Sequence, residues 1–457
     1  MKRTSKRVGQ LMAINLLICI FLAITAHAQQ SPTLTEKAVI VFESPDPQSV
    51  FAYSPGLCRL QSGRLVATID IGGPGANELP GVKFHRAGRN DYWQGQVYTS
   101  DDGGRSWDHR TDYAFMHARP FVAGDKLYIL GHAGNLTVIQ SGDDGETWTS
   151  PARLTDRQFW HQAPCNVLYA NGCVYLVMER RISNDIKTWY VGEIAPVLMR
   201  AAIGDDLTRR ESWTFASELS FRDVIPNVEH DPAIDFFGVP FFAAPYPSGS
   251  LVAPKRNNAP IGWLESNVIQ FVDPDHLWYD PTGKTFHIWM RAHTGGTGYA
   301  CMVKVVEKGD VPGTGTLETI LETVPSGKKI LYVPCPGGQM KFHVLYDRET
   351  RLYWLLSTQA RDSVTRPDRL PQNRYNLPNN ERRRLQLHFS KNMVDWCFAG
   401  MVASGPAENA SRHYASMVID GDDLVVLSRS GDERAKSAHD GNLITFHRVR
   451  AFRKLIY

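Results

Sequence analysis

Beyond its N-terminal segment the chain is a succession of short apolar runs, rich in β-branched and aromatic residues, separated by turns of Gly, Asp, Asn and Pro. No stretch repeats apolar residues at the spacing of a long amphipathic helix, so the pattern predicts an all-β protein. Lys126-Leu127-Tyr128-Ile129-Leu130 runs into Gly131-His132-Ala133-Gly134 and returns as Asn135-Leu136-Thr137-Val138-Ile139, which predicts a hairpin. Asn166 to Tyr169, Asn171-Gly172 and Val174 to Met178 predict another.

Two segments punctuate this rhythm: Ser100-Asp101-Asp102-Gly103-Gly104-Arg105-Ser106-Trp107 and Ser141-Gly142-Asp143-Asp144-Gly145-Glu146-Thr147-Trp148. Both fit S-x-D-x-G-x-[ST]-W. The Ser hydroxyl and Asp carboxylate suit bonds to local backbone N–H groups, Gly supplies positive φ, and Trp packs beneath the turn. The segment is therefore a folding device, and Asp102 and Asp143 are expected to be structural. The copies lie about 40 residues apart, the length of one four-stranded propeller blade. Degraded copies stand at Asp205 to Trp213 and at Ser390 to Trp396. The expected fold is a β-propeller of four-stranded blades, seven in number with six as the alternative. Its last strand, Asn442 to His447, is expected to pair with Ala38 to Phe42 and close the ring, which removes open sheet edges.

Lys2, Arg3, Lys6 and Arg7 precede an apolar stretch from Leu11 to Ala26 and the triplet Ala26-His27-Ala28. This is the plan of a secretory signal (residues 1–28) cleaved after Ala28, with residues 29–457 a single propeller domain of a secreted or periplasmic protein. Asn15 interrupts the stretch, which is short for a spanning helix, so no membrane insertion is expected after cleavage. Lys and Arg number 50 against 47 Asp and Glu, and the signal carries four of the positive charges. The near-neutral balance that remains argues against a nucleic-acid partner. The cysteines beyond the signal are irregularly spaced and read as buried thiols rather than a disulfide framework. A monomer is expected.

The eight-residue pattern resembles the Asp box of sialidases and of other propellers that act on sugars. Through Tyr53-Ser54-Pro55, His161-Gln162-Ala163-Pro164, Gly262-Trp263-Leu264-Glu265-Ser266-Asn267, Pro336-Gly337-Gly338 and Thr445-Phe446-His447, the order of motifs is similar to the group that includes ulvan lyases and a rhamnosidase releasing rhamnose from glucuronate. The resemblance spans most of the mature chain and implies a carbohydrate-active enzyme. Sialidases carry Arg-Ile-Pro in the first blade, whose Arg joins two others in gripping the sialate carboxylate. Here Tyr53-Ser54-Pro55 stands in its place, and neither Tyr nor Ser replaces a bidentate guanidinium. The rhamnosidase uses a His in a stretch similar to Val66-Ala67-Thr68-Ile69-Asp70, and Ile69 occupies its position.

What remains is an inventory of His, Arg and Tyr suited to an acidic sugar. A lyase must neutralise a uronate carboxylate, abstract the adjacent proton and protonate the leaving oxygen, and His117, His132 and His161 fall in the region where ulvan lyases place such residues. A hydrolase needs an acid and a second carboxylate or a Tyr, for which Glu179, Glu265 and Tyr414 are the candidates. Arg291-Ala292-His293 ends an apolar run at a Gly-rich turn leading to Tyr299, and Arg412-His413-Tyr414 is a polar cluster on an expected inner strand. Arg361, Arg366, Arg369, Arg374 and Arg382 punctuate a segment too long for a blade turn, suited to overhang a pocket. His293 precedes Cys301 by eight residues and Cys335 precedes His343 by eight, so two strand pairs each offer one His and one Cys, the donor set of a tetrahedral Zn²⁺. The resemblance to ulvan lyases implies a structural zinc of this kind, and the chemistry itself requires no cofactor.

The sequence thus points to a secreted enzyme that cleaves an acidic oligo- or polysaccharide, uronate-containing or sulfated, by lyase or glycoside hydrolase chemistry. His161, His132, His413, Tyr414 and Glu265 are the catalytic candidates, and Arg291, Arg412, His117, Arg180 and Tyr299 the substrate-binding ones. The alternatives are an exo-sialidase with a modified arginine clamp and a glycan-binding propeller without activity.

Overall fold

The computed structural model describes residues 32–86, 91–225, 261–293, 298–363, 365–370 and 381–457, and the backbone of short strands at 234–235, 251–253 and 256–257. The signal segment, Arg374 and most of the Gly-rich turn after His293 lie outside the described residues. The apolar runs form six antiparallel sheets, each contributing one blade. From the inner strand outward, blade 1 is Phe51–Arg59, Leu65–Gly72, Tyr92–Ser100 and Asp108–Tyr113. Blade 2 is Met116–Ala123, Lys126–Ala133, Asn135–Ser141 and Ala152–Arg153. In blade 3 the inner strand is split into Trp160–His161 and Leu168–Ala170, followed by Cys173–Arg181, Ile194–Ala202 and Thr214–Phe215. Blade 4 is Gly262–Ile269, Thr285–His293, Tyr299–Lys308 and Thr316–Ile320, and blade 5 is His343–Asp347, Leu352–Thr358, Arg384–Ser390 and Cys397–Ser404. Blade 6 is Arg412–Asp420, Asp423–Ser430 and Leu443–Val449, completed on its outer edge by Val39–Glu43.

The ring therefore has six blades, the alternative count and not seven. Only the step from Met116 to Trp160 approaches the short repeat set by the two boxes, whereas the inner strands of blades 3 and 4 begin as far apart as Trp160 and Gly262. Insertions within and between blades absorb the length that a uniform repeat would have spent on further blades.

Why the strands read as continuous apolar runs follows from the packing. Each blade is covered on both faces by its neighbours, so both sides of a strand are buried. Leu127 and Ile129 pack against blade 1 while Tyr128 and Leu130 pack against blade 3. Tyr175 and Val177 face blade 4, and Val174, Leu176 and Met178 face blade 2. Six apolar clusters result, one in each gap between adjacent blades. Residues Leu34–Tyr457 form one compact unit, closed by pairing Val39 with Phe446, Ile40 with Thr445, Phe42 with Ile444 and Glu43 with Leu443.

Both boxes join the outer two strands of their blades, as folding devices. In the first, Asp102 accepts from the Arg105 and Ser106 N–H groups at 2.8 and 3.0 Å and from the Ser106 hydroxyl at 2.7 Å, while Trp107 Nε1 donates to the Gly104 carbonyl at 3.2 Å. Asp143 and Trp148 repeat these bonds in the second. Of the degraded copies, the one ending at Trp213 has its indole donate to the Leu207 carbonyl at 3.0 Å, and the one ending at Trp396 has it donate to the Pro334 carbonyl at 3.1 Å.

Gly104 and Gly145 occupy the same box position at φ of +89° and +91°, but they meet different neighbours. A Cβ on Gly104 would lie 2.3 Å from the Phe446 ring of blade 6, whereas on Gly145 the nearest atom is 3.4 Å away. Gly145→Ala is expected to cost about 1 kcal/mol from backbone strain alone. Gly104→Ala should cost about 2 kcal/mol more, because the closing blade must shift. Denaturant unfolding of the two variants checks this, and equal losses would mean that the Phe446 ring yields freely.

Candidate active site

A flat inner strand sends its side chains alternately to the two neighbouring blades. Four inner strands break that alternation at one point. Ser54, His117, Glu265 and Tyr414 have φ of +39°, +54°, +61° and +49°. Beside each of them the pairing register slips, between Tyr53 and Gly56, Met116 and Arg119, Leu264 and Asn267, and His413 and Ser416. Such a bulge bends the strand and re-aims a side chain, and a left-handed non-glycine residue persists only where its surroundings hold it. All four line one cavity of about 580 Å³. Tyr53, Trp93, Phe84, Phe159 and Trp189 supply its aromatic wall.

Blades 2 and 3 give the cavity its histidines. His117 Nδ1 and His132 Nε2 are 3.0 Å apart, one ring donating to the other, and the His161 ring centre lies 5.1 Å from that of His117. Burial first, then the neighbouring histidines, holds His117 and His132 well below the usual imidazole range. The buried Glu179 carboxylate is 2.9 Å from His161 Nδ1 and accepts from the Ser266 N–H at 3.0 Å and the Ser266 hydroxyl at 2.8 Å. It fixes the ring and compensates a charge formed on it. Asp70 accepts the His117 N–H with both carboxylate oxygens, at 3.1 and 2.9 Å, and so pins the bulge. Burial pushes the Asp70 carboxyl well above its usual range.

Blades 4 to 6 supply the charge. The Tyr414 hydroxyl donates to the Glu265 carboxylate, and Arg291 Nη1 lies 2.9 Å from that hydroxyl and 3.3 Å from Glu265 Oε2. Arg291 Nε is anchored on the Gln339 carbonyl at 2.7 Å. The Arg382 and Arg429 guanidinium carbons stand 5.6 and 5.3 Å from the Tyr414 ring centre, and Arg429 also covers Tyr53 at 4.2 Å. Burial, with Glu265 beside it, pushes the Tyr414 phenol up to about 12 against the pull of Arg291 and Arg382. Burial also draws Arg382 down to about 10, opposed by Tyr414 and reinforced by the Arg429 and Arg291 charges. Three guanidiniums therefore crowd one phenol, a set of donors whose geometry and charge suit a carboxylate.

Of the residues singled out by sequence, His117, His132, His161, Glu265 and Tyr414 line this cavity. Arg291 bonds two of them from behind. His413 is fully buried beneath the cavity, its Nδ1 3.1 Å from Arg382 Nη1. Arg412, its neighbour on the strand, faces the other way and donates to the Ser411 and Gly431 carbonyls at 2.6 and 2.7 Å. Arg180 is bonded to Glu218 and lines a separate cavity between blades 2 and 3. Tyr299 packs on the apolar cluster between blades 3 and 4. The four metal candidates do not gather: Cys301 and Cys335 belong to different inter-blade clusters, His343 lines the opposite mouth of the ring, and His293 pairs in register with Gly262. Among the described residues, no three His, Cys, Asp or Glu side chains come together as a metal site.

Sequence reasoning missed Arg429, Asp70 and Ser266. A signal was present. At the same end of the second strands of blades 1, 2, 3, 4 and 6 stand Asp70, His132, Glu179, Arg291 and Arg429, each a titratable residue near the end of a largely apolar run.

No protein-family profile matches the chain, and no curated protein sequence does. Among solved structures it is similar to a protein of unknown function from Dyadobacter fermentans DSM 18053, at 10% identity and a TM-score of 0.51, over 91% of this chain and 98% of that one. It is also similar to the Hadza microbial sialidase Hz136 (14% identity, TM-score 0.48, 91% and 68% covered). A third similar structure is the α-L-arabinanase of Penicillium chrysogenum (12% identity, TM-score 0.46, 93% and 100% covered). At such identities the likeness shows the fold alone.

The buried histidines set a pH dependence of stability. His117, His132 and His413 are held well below the imidazole range in the folded protein, burial being the first cause for each. Unfolded, each takes up a proton at about pH 6.5. The unfolded state then binds more protons, so stability present above about pH 6.5 is lost on acidification, by up to about 1.4 kcal/mol per pH unit for each ring. Asp70, whose folded carboxyl is raised, offsets one proton as pH falls toward about 4. Urea unfolding between about pH 7 and about pH 5 should show this slope. A flat profile would mean that the rings titrate in the folded state.

Proposed function

We propose that this chain is an exported glycoside hydrolase for a carboxylate-bearing sugar at the end or within the chain of an acidic glycan, with Tyr414 as nucleophile. The supporting observation is the Tyr414 hydroxyl bonded to Glu265 and Arg291 beneath Arg382 and Arg429. The substrate carboxylate replaces the phenol as the focus of the guanidiniums, which orients the sugar ring. A phenol held at about 12 is protonated at neutral pH and needs a base in contact, which Glu265 provides. Attack of the Tyr414 oxygen on the anomeric carbon forms a glycosyl-tyrosine bond as the glycosidic C–O bond breaks. Glu265 takes the phenol proton, and the leaving oxygen receives one from the histidine side, where Glu179 steadies His161. Water then attacks the anomeric carbon, giving its proton to the histidine, and Glu265 returns its proton to the phenolate. A neutral nucleophile suits an anionic substrate, since a carboxylate in its place would repel the sugar's own.

The second reading is a lyase. It is favoured by the three histidines standing within one cavity with the guanidiniums, a base set beside an acid-neutralising set. A modified sialidase corresponds to the first reading with sialate as the acidic sugar, and a binding propeller to neither.

Incubation with uronate-containing, sulfated and sialylated glycans should yield products that have gained water, without the ultraviolet absorbance of an unsaturated uronate. Tyr414→Phe should lose at least about a hundredfold in kcat while remaining folded, with stability lowered by about 1–3 kcal/mol by the lost bond to buried Glu265. A slow-reacting fluorinated glycoside of the acidic sugar should add its glycosyl mass to the intact protein and not to Tyr414→Phe. Unsaturated products would replace the hydrolase with the lyase, free sialic acid would name the sugar, and binding without products would leave a lectin-like propeller.

A further inference from the structure

Below the candidate active site, on the propeller axis, lie two buried cations that the proposed chemistry does not use. Arg119, on the inner strand of blade 2, is 2% exposed, and Lys341, just before the inner strand of blade 5, is 1% exposed. Arg119 Nη2 donates to the Val177 carbonyl at 3.2 Å, but its Nε and Nη1 have no hydrogen-bond partner among the described residues. Lys341 Nζ reaches the Ala415 carbonyl at 2.5 Å and the Ser416 hydroxyl at 3.3 Å, and Ser416 in turn donates to the Pro55 and Pro164 carbonyls. The charges of both cations bear on the Cys165 thiol, which burial pushes up to about 12, so that it stays neutral. Glu179, the carboxylate that bears on Arg119, spends its oxygens on His161 and Ser266. Glu265, the one that bears on Lys341, is bonded to Tyr414 and Arg291. A guanidinium with two unpaired nitrogens, sealed from water beside a second cation, is among the costlier arrangements a fold can hold.

From this geometry we infer that a monovalent anion of halide size binds on the propeller axis between Arg119 and Lys341. It takes the free N–H groups of Arg119 and the remaining proton of Lys341, and it supplies the counter-charge that the neighbouring thiol does not. Its route is the second mouth of the ring. Pro120, Cys165, Asn166 and His343 line a cavity of about 760 Å³ there, with apolar walls that include Leu57, Phe121 and Ile269. The ion would join inner-strand segments of blades 2 and 5 directly and those of blades 1, 3 and 6 through Lys341 and Ser416.

The test uses bromide and chloride on the whole protein. Crystals grown in sodium bromide should give an anomalous peak within hydrogen-bond reach of Arg119 Nε or Nη1 and of Lys341 Nζ. Thermal unfolding in sodium chloride, against sodium gluconate at equal ionic strength, should show a midpoint that rises and saturates with chloride, as expected for a ligand of the folded state. Lys341→Met should raise the half-saturating chloride by about tenfold or more, and Arg119→Gln should abolish the response and the peak. Should Arg119→Gln fail to fold, the wild-type bromide map and Lys341→Met decide alone. A refined water at that position without anomalous signal, bromide found only on the surface, or one chloride response shared by wild type and variants would each overturn the inference.

Discussion

Every blade is buried on both faces, and that constraint governs where this molecule can do chemistry. A polar side chain on a blade face would need a partner inside a gap filled by apolar side chains from two sheets. Around the cavity the chain meets the constraint by gathering polar groups at one end of the first and second strands, where bulges turn those of the inner strands toward the axis, and elsewhere by pairing them, as Arg200 with Glu307 and His287 with Glu322. At the cavity they satisfy one another. Tyr414 of blade 6 donates to Glu265 of blade 4, Arg291 bonds both, and Glu179 of blade 3 holds Ser266 of blade 4. The same bonds serve the cavity and knit the ring, so removing one partner leaves a buried charge without compensation.

What could be read in the sequence was mostly local. The boxes and the hairpin after Lys126 are set by neighbours in the chain and by turn residues, and they stand in the structure where the pattern put them, while the closing strand, paired across the whole chain, was legible only from the need of a ring to leave no open edge. The blade count was less legible, because insertions between blades leave no periodic mark and only blades 1 and 2 carry intact boxes. The site was partly legible. Residue type singled out His117, His132, His161, Glu265 and Tyr414, but their convergence depends on bulges that no residue type announces. Arg412 and His413 show the difficulty: they are adjacent in sequence, yet one ties down backbone at the edge and the other supports Arg382. Arg429 went unnoticed because it stands in the run Leu427-Ser428-Arg429-Ser430 without a recognisable motif.

Beside the aromatic wall to which blade 1 contributes Tyr53, Phe84 and Trp93, the cavity draws its polar groups mainly from two stretches of chain. Residues 117–179 carry the histidines and the carboxylate that steadies them, while 265–429 carry the phenol and the guanidiniums. The histidines and the guanidiniums thus sit on separate blades, and the Glu179 to Ser266 bond is one that joins the two sets.

The closure of the ring bears on how the molecule comes into being. Blade 6 takes its outer strand, Val39–Glu43, from the first part of the chain and its other strands from the last. During synthesis, Val39–Glu43 has no sheet to join until Leu443–Val449 emerges, and the inner and second strands of blade 6 bring Tyr414 and Arg429. The fully formed cavity is therefore among the last features to appear. A chain cut short anywhere before residue 443 lacks the closing strand and exposes the face of blade 1 that Ile444 and Phe446 would cover. Completeness of the chain is thus the condition for both a sealed surface and an assembled pocket, and a truncated copy exposes apolar surface by the same absence that leaves its cavity open.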